Sequence, residues 1–314
     1  MATLLSFGEI LIDFLPDEAG ANYRPIAGGA PANVAVGFSK LGGISYFAGG
    51  ISKDNFGKFL LSELEHYKVK TDWIKQTEQK TALAVVSLDD SGERDFNFYR
   101  DNTADLAYTA EDIDNIKFGA FDILHFCSNT LTEASSYQAT LYALEKAKSH
   151  QRMICFDANL RQDLWDDTSL IAERVFSVLC FVEILKVSKE ELDWLATANH
   201  QSKDEFYTSA FKNGIKIIVI TDGPNDIVAV TKDWQISVTP PSINAVDTTA
   251  AGDSFIAGFL YCINEQIPEE CIIRPAFAEP GLIEQALKFA AQCSAITCSD
   301  YGAFPALPTR SDIK

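Results

Sequence analysis

The chain has 314 residues, 47% of them apolar, and a formal charge of -18 from 44 acids against 26 Lys and Arg. That length and apolar share bury a large core and exclude a disordered or fibrous chain. The acid excess excludes nucleic acid and acidic membrane as partners of the general surface, since both demand clustered Lys and Arg, so an anionic substrate must be held locally.

In chain order, "TLLSFGEILID" (3–13) predicts a first core strand with Asp13 at its end. A helix over about 31–41, a strand over 44–50 and a helix over about 55–67 follow. Strands at 121–126, 152–159, 182–188 and 216–223 then alternate with helices near 133–149, 168–180 and 203–213. Strands alternating with helices imply βαβ units, hence an α/β fold with a mainly parallel sheet covered on both faces. Ligands in such folds sit beyond the carboxyl ends of the strands. Asp13, Asp157, Asn159, Lys186, Ser188, Thr221 and Asp222 fall at those predicted ends.

Two stretches, 14–26 and about 79–100, break the rhythm. The second pairs "TALAVVSLDD" with "ERDFNFYR" across a turn at Asp90-Ser91-Gly92, a hairpin with no helix to cover it. A small β-flap with one uncovered face is expected, which must close over a ligand, pair with another subunit, or do both. A homodimer joined through the flap is the expectation. No internal repeat or long linker divides the chain, so 1–314 reads as one domain.

Seven cysteines are scattered without a Cys-x-x-Cys pair. They read as reduced, mostly buried thiols, which fits the cytoplasm. The opening "MATLLSFGEILIDFLPDEAG" lacks the basic start of a signal peptide, carries Glu9 and Asp13 within its apolar stretch, and is too short to span a membrane. The four histidines, at 66, 125, 150 and 200, are too dispersed to suggest a metal site.

The run "AVDTTAAGDSF" (245–255) precedes the apolar "FIAGFLY" (255–261), a helix start built of small residues. Unpaired N–H groups and the helix dipole favour an anion there, and small side chains let phosphate approach. Asp253 is then costly beside the anion unless it caps the helix or takes a proton. An ordinary capped helix start is the plainer alternative.

"IAGGAPANVAVGFSKLGG" (26–43) and "DTTAAGDSF" (247–255) resemble the two signatures of the ribokinase-like, or PfkB-type, carbohydrate kinases. "GEILID" (8–13), "FDANLR" (156–161), "KVSKEEL" (186–192), "TDG" (221–223) and "GAFPALP" (302–308) appear in the expected order. The resemblance implies a ribokinase-like three-layer α/β/α fold whose β-flap is a lid. Within the family the chain looks most like the bacterial fructokinases. It implies an ATP-dependent, Mg²⁺-requiring transfer to the 6-hydroxyl of D-fructose; a kinase for another small sugar or a ribonucleoside, and a sugar-binding regulator without catalysis, are the alternatives.

On that resemblance, Asp253 takes the proton of the attacking hydroxyl, and the N–H groups of Ala250, Ala251 and Gly252 form the anion hole. Arg161 steadies the transferring phosphate or the sugar. Asp13, Gly28, Gly29 and Asn33 join Asp253 in holding sugar. Lys186, Ser188, Thr221, Gly223, Ala291 and Cys293 are implied for ATP, and Glu191 for waters around Mg²⁺. Backbone carbonyls near Asp247, Thr249 and 298–302 are implied for a monovalent cation such as K⁺. Ala250 departs from the family signature, which has Gly there. Because Ala251 and a helix follow it, residue 250 is expected at negative φ with its methyl turned from the phosphate.

Overall fold

The structure, a computed structural model, describes residues 3–16, 22–88, 94–265 and 277–313. Its strands are β1 (Thr3–Phe7), β2 (Leu11–Pro16), β3 (Tyr23–Gly28), β4 (Ile44–Ser52), β5 (Lys70–Thr77), β6 (Leu83–Leu88), β7 (Arg94–Tyr99), β8 (Ile123–Cys127), β9 (Met153–Asp157), β10 (Ile184–Ser188), β11 (Ile217–Thr221), β12 (Ile227–Val230) and β13 (Gln235–Val238). The helices are α1 (Ala30–Lys40), α2 (Asn55–His66), α3 (Ala110–Ile113), α4 (Ala134–Ser149), α5 (Leu170–Leu179), α6 (Lys189–Ala198), α7 (Lys203–Lys212), α8 (Ala251–Glu265) and α9 (Pro280–Thr297).

Nine strands form the main sheet in the order β13-β12-β11-β10-β9-β8-β1-β4-β5. From β11 to β5 every neighbour is parallel; β12 and β13 add an antiparallel edge. The strands alternate which face they serve, as a pleat requires. Leu5, Leu124, Phe156, Leu185 and Ile218 point into one core with α4 to α7. Leu4, Ile123, Cys155, Ile184 and Ile217 point into the other with α1, α8 and α9. Both faces are therefore covered, the three-layer α/β/α arrangement expected from the alternating elements.

The chain order reverses between β1 and β8. From β1 the sheet grows one way through β4 and the other through β8, so the crevice above these two strands is the topological switch point where such folds bind ligands.

Four strands form the second, smaller sheet in the order β3-β2-β6-β7. This corrects the expected single strand over 3–13. The chain leaves the main sheet at Gly8, whose φ of +148° a side-chain-bearing residue rarely adopts, and starts β2 in the other sheet at Leu11. Asp13 accordingly lies in the middle of β2, opposite Ile26 of β3 and Ala84 of β6, not at the end of the first strand. The flap strands run from Leu11 and to Gly28, wider than the expected 14–26. The turn at Asp90-Ser91-Gly92 lies outside the described residues. A third core joins the two parts: Ile10, Ile12 and Ala27 pack with Ala32, Val36, Phe47, Leu60 and Leu64.

Candidate active site

A cleft of about 740 Å³ opens beyond the carboxyl ends of the main-sheet strands, beside the smaller sheet. Glu9 follows β1, Asn129 follows β8, Asn159 and Arg161 follow β9, and Lys186 and Ser188 end β10. Leu11, Asp13 and Phe98 enter from the smaller sheet. Asn33 of α1 and the segment 245–253, entering α8, complete it.

At its floor Asn33 Nδ2 donates to Asp253 Oδ2 at 2.7 Å. Both side chains are buried, one in the second turn of α1 and one in the first of α8. Burial pushes the Asp253 carboxyl above the usual aspartate range, opposed by the Asn33 bond and the charges of Lys186 and Arg161. A buried carboxylate of raised basicity is a proton acceptor. Gly28 makes room for Asp13. A Cβ at 28 would lie 1.9 Å from Asp13 Oδ2, so only glycine lets this carboxylate stand where it does.

Lys186 Nζ donates to both carboxylate oxygens of buried Asp157, at 3.0 and 3.1 Å. Burial alone would lower the Lys186 ammonium, but Asp157, Glu191 and Asp253 outweigh it and hold the group charged. Burial likewise pushes Asp157 up, against the pull of Lys186. The ammonium also stands over the start of α8: a Cβ at Gly252 would be 3.1 Å from Nζ. A fixed cation and a helix N-terminus thus point at one place, which suits a multiply charged anion.

Glu191 closes a capping box on α6. Its Oε2 accepts from Ser188 N at 2.7 Å, Ser188 Oγ accepts from Glu191 N at 3.1 Å, and Oε1 accepts from Leu160 N at 2.7 Å. Glu191 therefore caps α6, and its carboxylate still lines the cleft. Asp247 ties two loops together, Oδ1 accepting from Thr249 N at 2.7 Å and Oδ2 from Gly302 N at 2.9 Å. Val246 N donates to Cys298 O at 2.8 Å, so segments 246–249 and 298–302 lie side by side.

The anion-hole expectation needs two corrections. Ala250 has φ +59°, not a negative value. The residue takes a left-handed turn before α8, and its carbonyl accepts from Ser254 N at 2.8 Å. The Ala251 N–H is spent on Thr248 O at 3.2 Å, whereas no backbone acceptor among the described residues takes the N–H groups of Ala250 and Gly252. Two donors are offered where three were expected.

Other expected residues are dispersed. Arg161 lines the cleft but is exposed, and its Nη1 donates to its neighbour's carbonyl, Leu160 O, at 3.2 Å. Thr221 pairs in register with Ser188, and Gly223 follows it, both outside the cleft wall. Gly29 caps α1 and lines the cleft. Ala291 and Cys293 do not reach the cleft; they are buried in the core of α8 and α9. Glu9, Asn129 and Phe98 were not expected in the site. Glu9 carried a signal, an acid inside an apolar stretch; Asn129 carried none.

The sequence pattern of the pfkB family carbohydrate kinases matches residues 1–310. The chain belongs to that family. Among its relatives, a fructokinase of Vibrio alginolyticus is 33% identical over 307 residues, covering 98% of this chain and 96% of its own. The pfkB fold is matched by the crystal structure of Xylella fastidiosa fructokinase with bound ATP, with a TM-score of 0.94, 34% identity, and coverage of 99% of this chain and 96% of that one. A Vibrio cholerae fructokinase double mutant, bound to fructose, ADP and potassium ion, matches with a TM-score of 0.88 and 30% identity over 99% of this chain and 96% of its own.

Proposed function

We propose that the protein is a fructokinase, transferring the γ-phosphoryl group of ATP to the 6-hydroxyl of D-fructose. The observation that carries the reading is the buried Asn33 to Asp253 pair, set at the start of α8 in a cleft whose other walls offer Asp13, Lys186 and two N–H donors. The Vibrio cholerae relative holds fructose and ADP, and that of Xylella fastidiosa holds ATP.

In this reading the sugar lies between Asp13, Asn33 and Asp253, with the backbone at Gly28 and Gly29 close enough to contact it. Asp253 accepts the proton of the attacking hydroxyl, and that proton relieves its repulsion with the incoming phosphoryl group. The N–H groups of Ala250 and Gly252, Lys186 and Arg161 stabilise charge on the transferring group. Ser188, Thr221 and Gly223 flank the nucleotide at the ends of β10 and β11. Ala291 and Cys293 shape its pocket from the core behind.

No group of three or more metal-binding side chains occurs among the described residues. The donor set therefore fits Mg²⁺ only as an ion held by nucleotide phosphates and waters, with Glu191 orienting the waters; the ion supplies charge neutralisation. The paired segments 246–249 and 298–302 offer backbone carbonyls to K⁺, with Asp247 and Thr249 fixing their geometry.

The lid and its partner complete the proposal. The smaller sheet leaves Tyr23 and Tyr99 exposed, the latter at 62%. A second copy covers this sheet and closes it over the sugar. Cys127, Cys155, Cys180, Cys293 and Cys298 are free thiols, which supports the cytoplasm. Among the described residues no helix is long and apolar enough to cross a membrane.

The test is a coupled assay of ADP release across a panel of free sugars and nucleosides. Fructose is expected to be preferred. A nucleoside preferred by a wide margin overturns the assignment, and ADP release with none of them moves the sugar-binding regulator to the front.

A further inference from the structure

Four buried side-chain polar atoms among the described residues have no hydrogen-bond partner, and three belong to the cleft: Glu9 Oε2, Asn129 Oδ1 and Asn33 Oδ1. All three are oxygens. A buried acceptor without a donor costs about 1–3 kcal/mol, so three in one wall describe a missing ligand rich in O–H groups. Asn33 already belongs to the proposed sugar site. Glu9 and Asn129 do not.

These two residues stand together. Asn129 Nδ2 donates to Glu9 Oε1 at 2.8 Å. Glu9 follows β1 and Asn129 follows β8, the strands that flank the switch point, and Phe7 pairs with Phe126 just before them. Both are positions where the chain turns. Glu9 lies in the crossing from the main sheet to β2 of the lid. Asn129 is held from the other crossing, its carbonyl accepting from Arg100 Nη2 at 3.0 Å just after β7. Arg100 is itself committed to Asp105 at 2.6 Å and to Thr132 at 3.0 Å. Burial raises the Glu9 carboxyl, against the pull of Arg100 and of the Asn129 bond; a hydroxyl donating to Oε2 relieves that cost. Both residues line the cleft, and the terminal torsions of Glu and Asn are soft, so a small rotation presents each oxygen to a bound hydroxyl.

We propose that Glu9 and Asn129 are a second sugar-recognition pair, accepting from hydroxyls of the substrate. The pair determines which polyol is accepted, and because Glu9 lies in one crossing between the sheets and Asn129 is bonded to Arg100 at the other, a bound sugar also fixes the lid. This rests on the sugar-kinase reading above.

The test is Glu9→Gln, which keeps shape and the acceptor for Asn129 but replaces Oε2 or its equivalent with an amide. For the sugar the wild type accepts, KM is expected to rise roughly 10- to 100-fold, with KM for ATP within about twofold. Melting temperature without sugar is expected to stay or rise, since a buried carboxyl is removed. Among the monodeoxy analogues that keep the 6-hydroxyl, one should be penalised in the wild type but no further in Glu9→Gln. A sugar KM within about twofold of wild type, or a lowered melting temperature with both KM values unchanged, assigns the pair to structure alone and overturns the proposal. Should Glu9→Gln not fold, Asn129→Ala is read by the same split. Sugar-dependent rise of melting temperature keeps the two readings apart: a wild type stabilised by fructose but without ADP release fails as a kinase, while loss of that rise in Glu9→Gln still supports the pair.

Discussion

Asn33 and Asp253 meet at 2.7 Å across 220 positions of sequence, so the α1 and α8 starts are locked into one site by a single charge-assisted bond. That bond favours the ionised carboxylate, while burial favours the protonated one. Removing it in Asn33→Ala leaves burial opposed only by the charges of Lys186 and Arg161, so the Asp253 pKa rises. The acid limb of kcat/KM must then move to higher pH. A pH profile of the variant checks this; an unmoved acid limb would take Asp253 out of the base role.

Asp253→Asn is expected to lower kcat by roughly 10²-fold or more while ATP still binds, measured by steady-state kinetics and nucleotide titration. The same change should stabilise the empty protein. Because the folded pKa is raised above the ordinary 3.8, the ionised wild type is penalised once pH exceeds the folded pKa, and the penalty is absent below the unfolded one. The variant's gain in melting temperature is therefore present at about pH 8 and shrinks toward about pH 4.

Asp13→Ala should raise the sugar KM far more than the ATP KM, since a hydroxyl partner is lost from a buried site. Gly28→Ala should copy it without touching the acid. Its Cβ would lie 1.9 Å from Asp13 Oδ2 and must push the carboxylate away. Steady-state kinetics on both variants decide; equal damage to sugar and ATP use in either would indicate misfolding instead.

The lid leaves Tyr99 62% exposed, on a strand at the edge of the smaller sheet. Light scattering at micromolar concentration is expected to give a dimer, and Tyr99→Lys at the exposed position to weaken it. A monomer at that concentration contradicts the lid-to-lid pairing.

The parallel sheet and the two ends of the cleft were legible because each rests on local pattern: apolar runs of strand length, helices between them, and small residues before α8. What failed was non-local. The stretch 3–13 is mostly apolar, and nothing in its periodicity shows that Gly8 turns it from one sheet into another. The edge strands β12 and β13 are four residues each, too short to stand out. Asn129 is an ordinary polar residue until β8 delivers it to the switch point. Ala291 and Cys293, assigned through resemblance alone, lie behind the site and not in it.

The conformation of residue 250 is the expectation that failed most informatively. At φ +59° an alanine is strained by about 1–2 kcal/mol, and the family signature places there the one residue that is not. Ala250→Gly removes the strain but gives the unfolded chain more freedom, worth about 0.4–1 kcal/mol the other way. The net gain is at most about 1.6 kcal/mol, so melting temperature should rise by no more than about 2 °C. The turn itself is already formed: Ala250 O accepts from Ser254 N at 2.8 Å, and the N–H groups of Ala250 and Gly252 lack backbone acceptors among the described residues. The strain is therefore carried by stability and not by a displaced anion hole. kcat/KM should change by less than about tenfold, which is about 1.4 kcal/mol. A rise of several hundredfold in Ala250→Gly would mean that the alanine holds the hole out of line, and a sugar-binding regulator with its catalysis set aside would then account for this chain better than a working kinase.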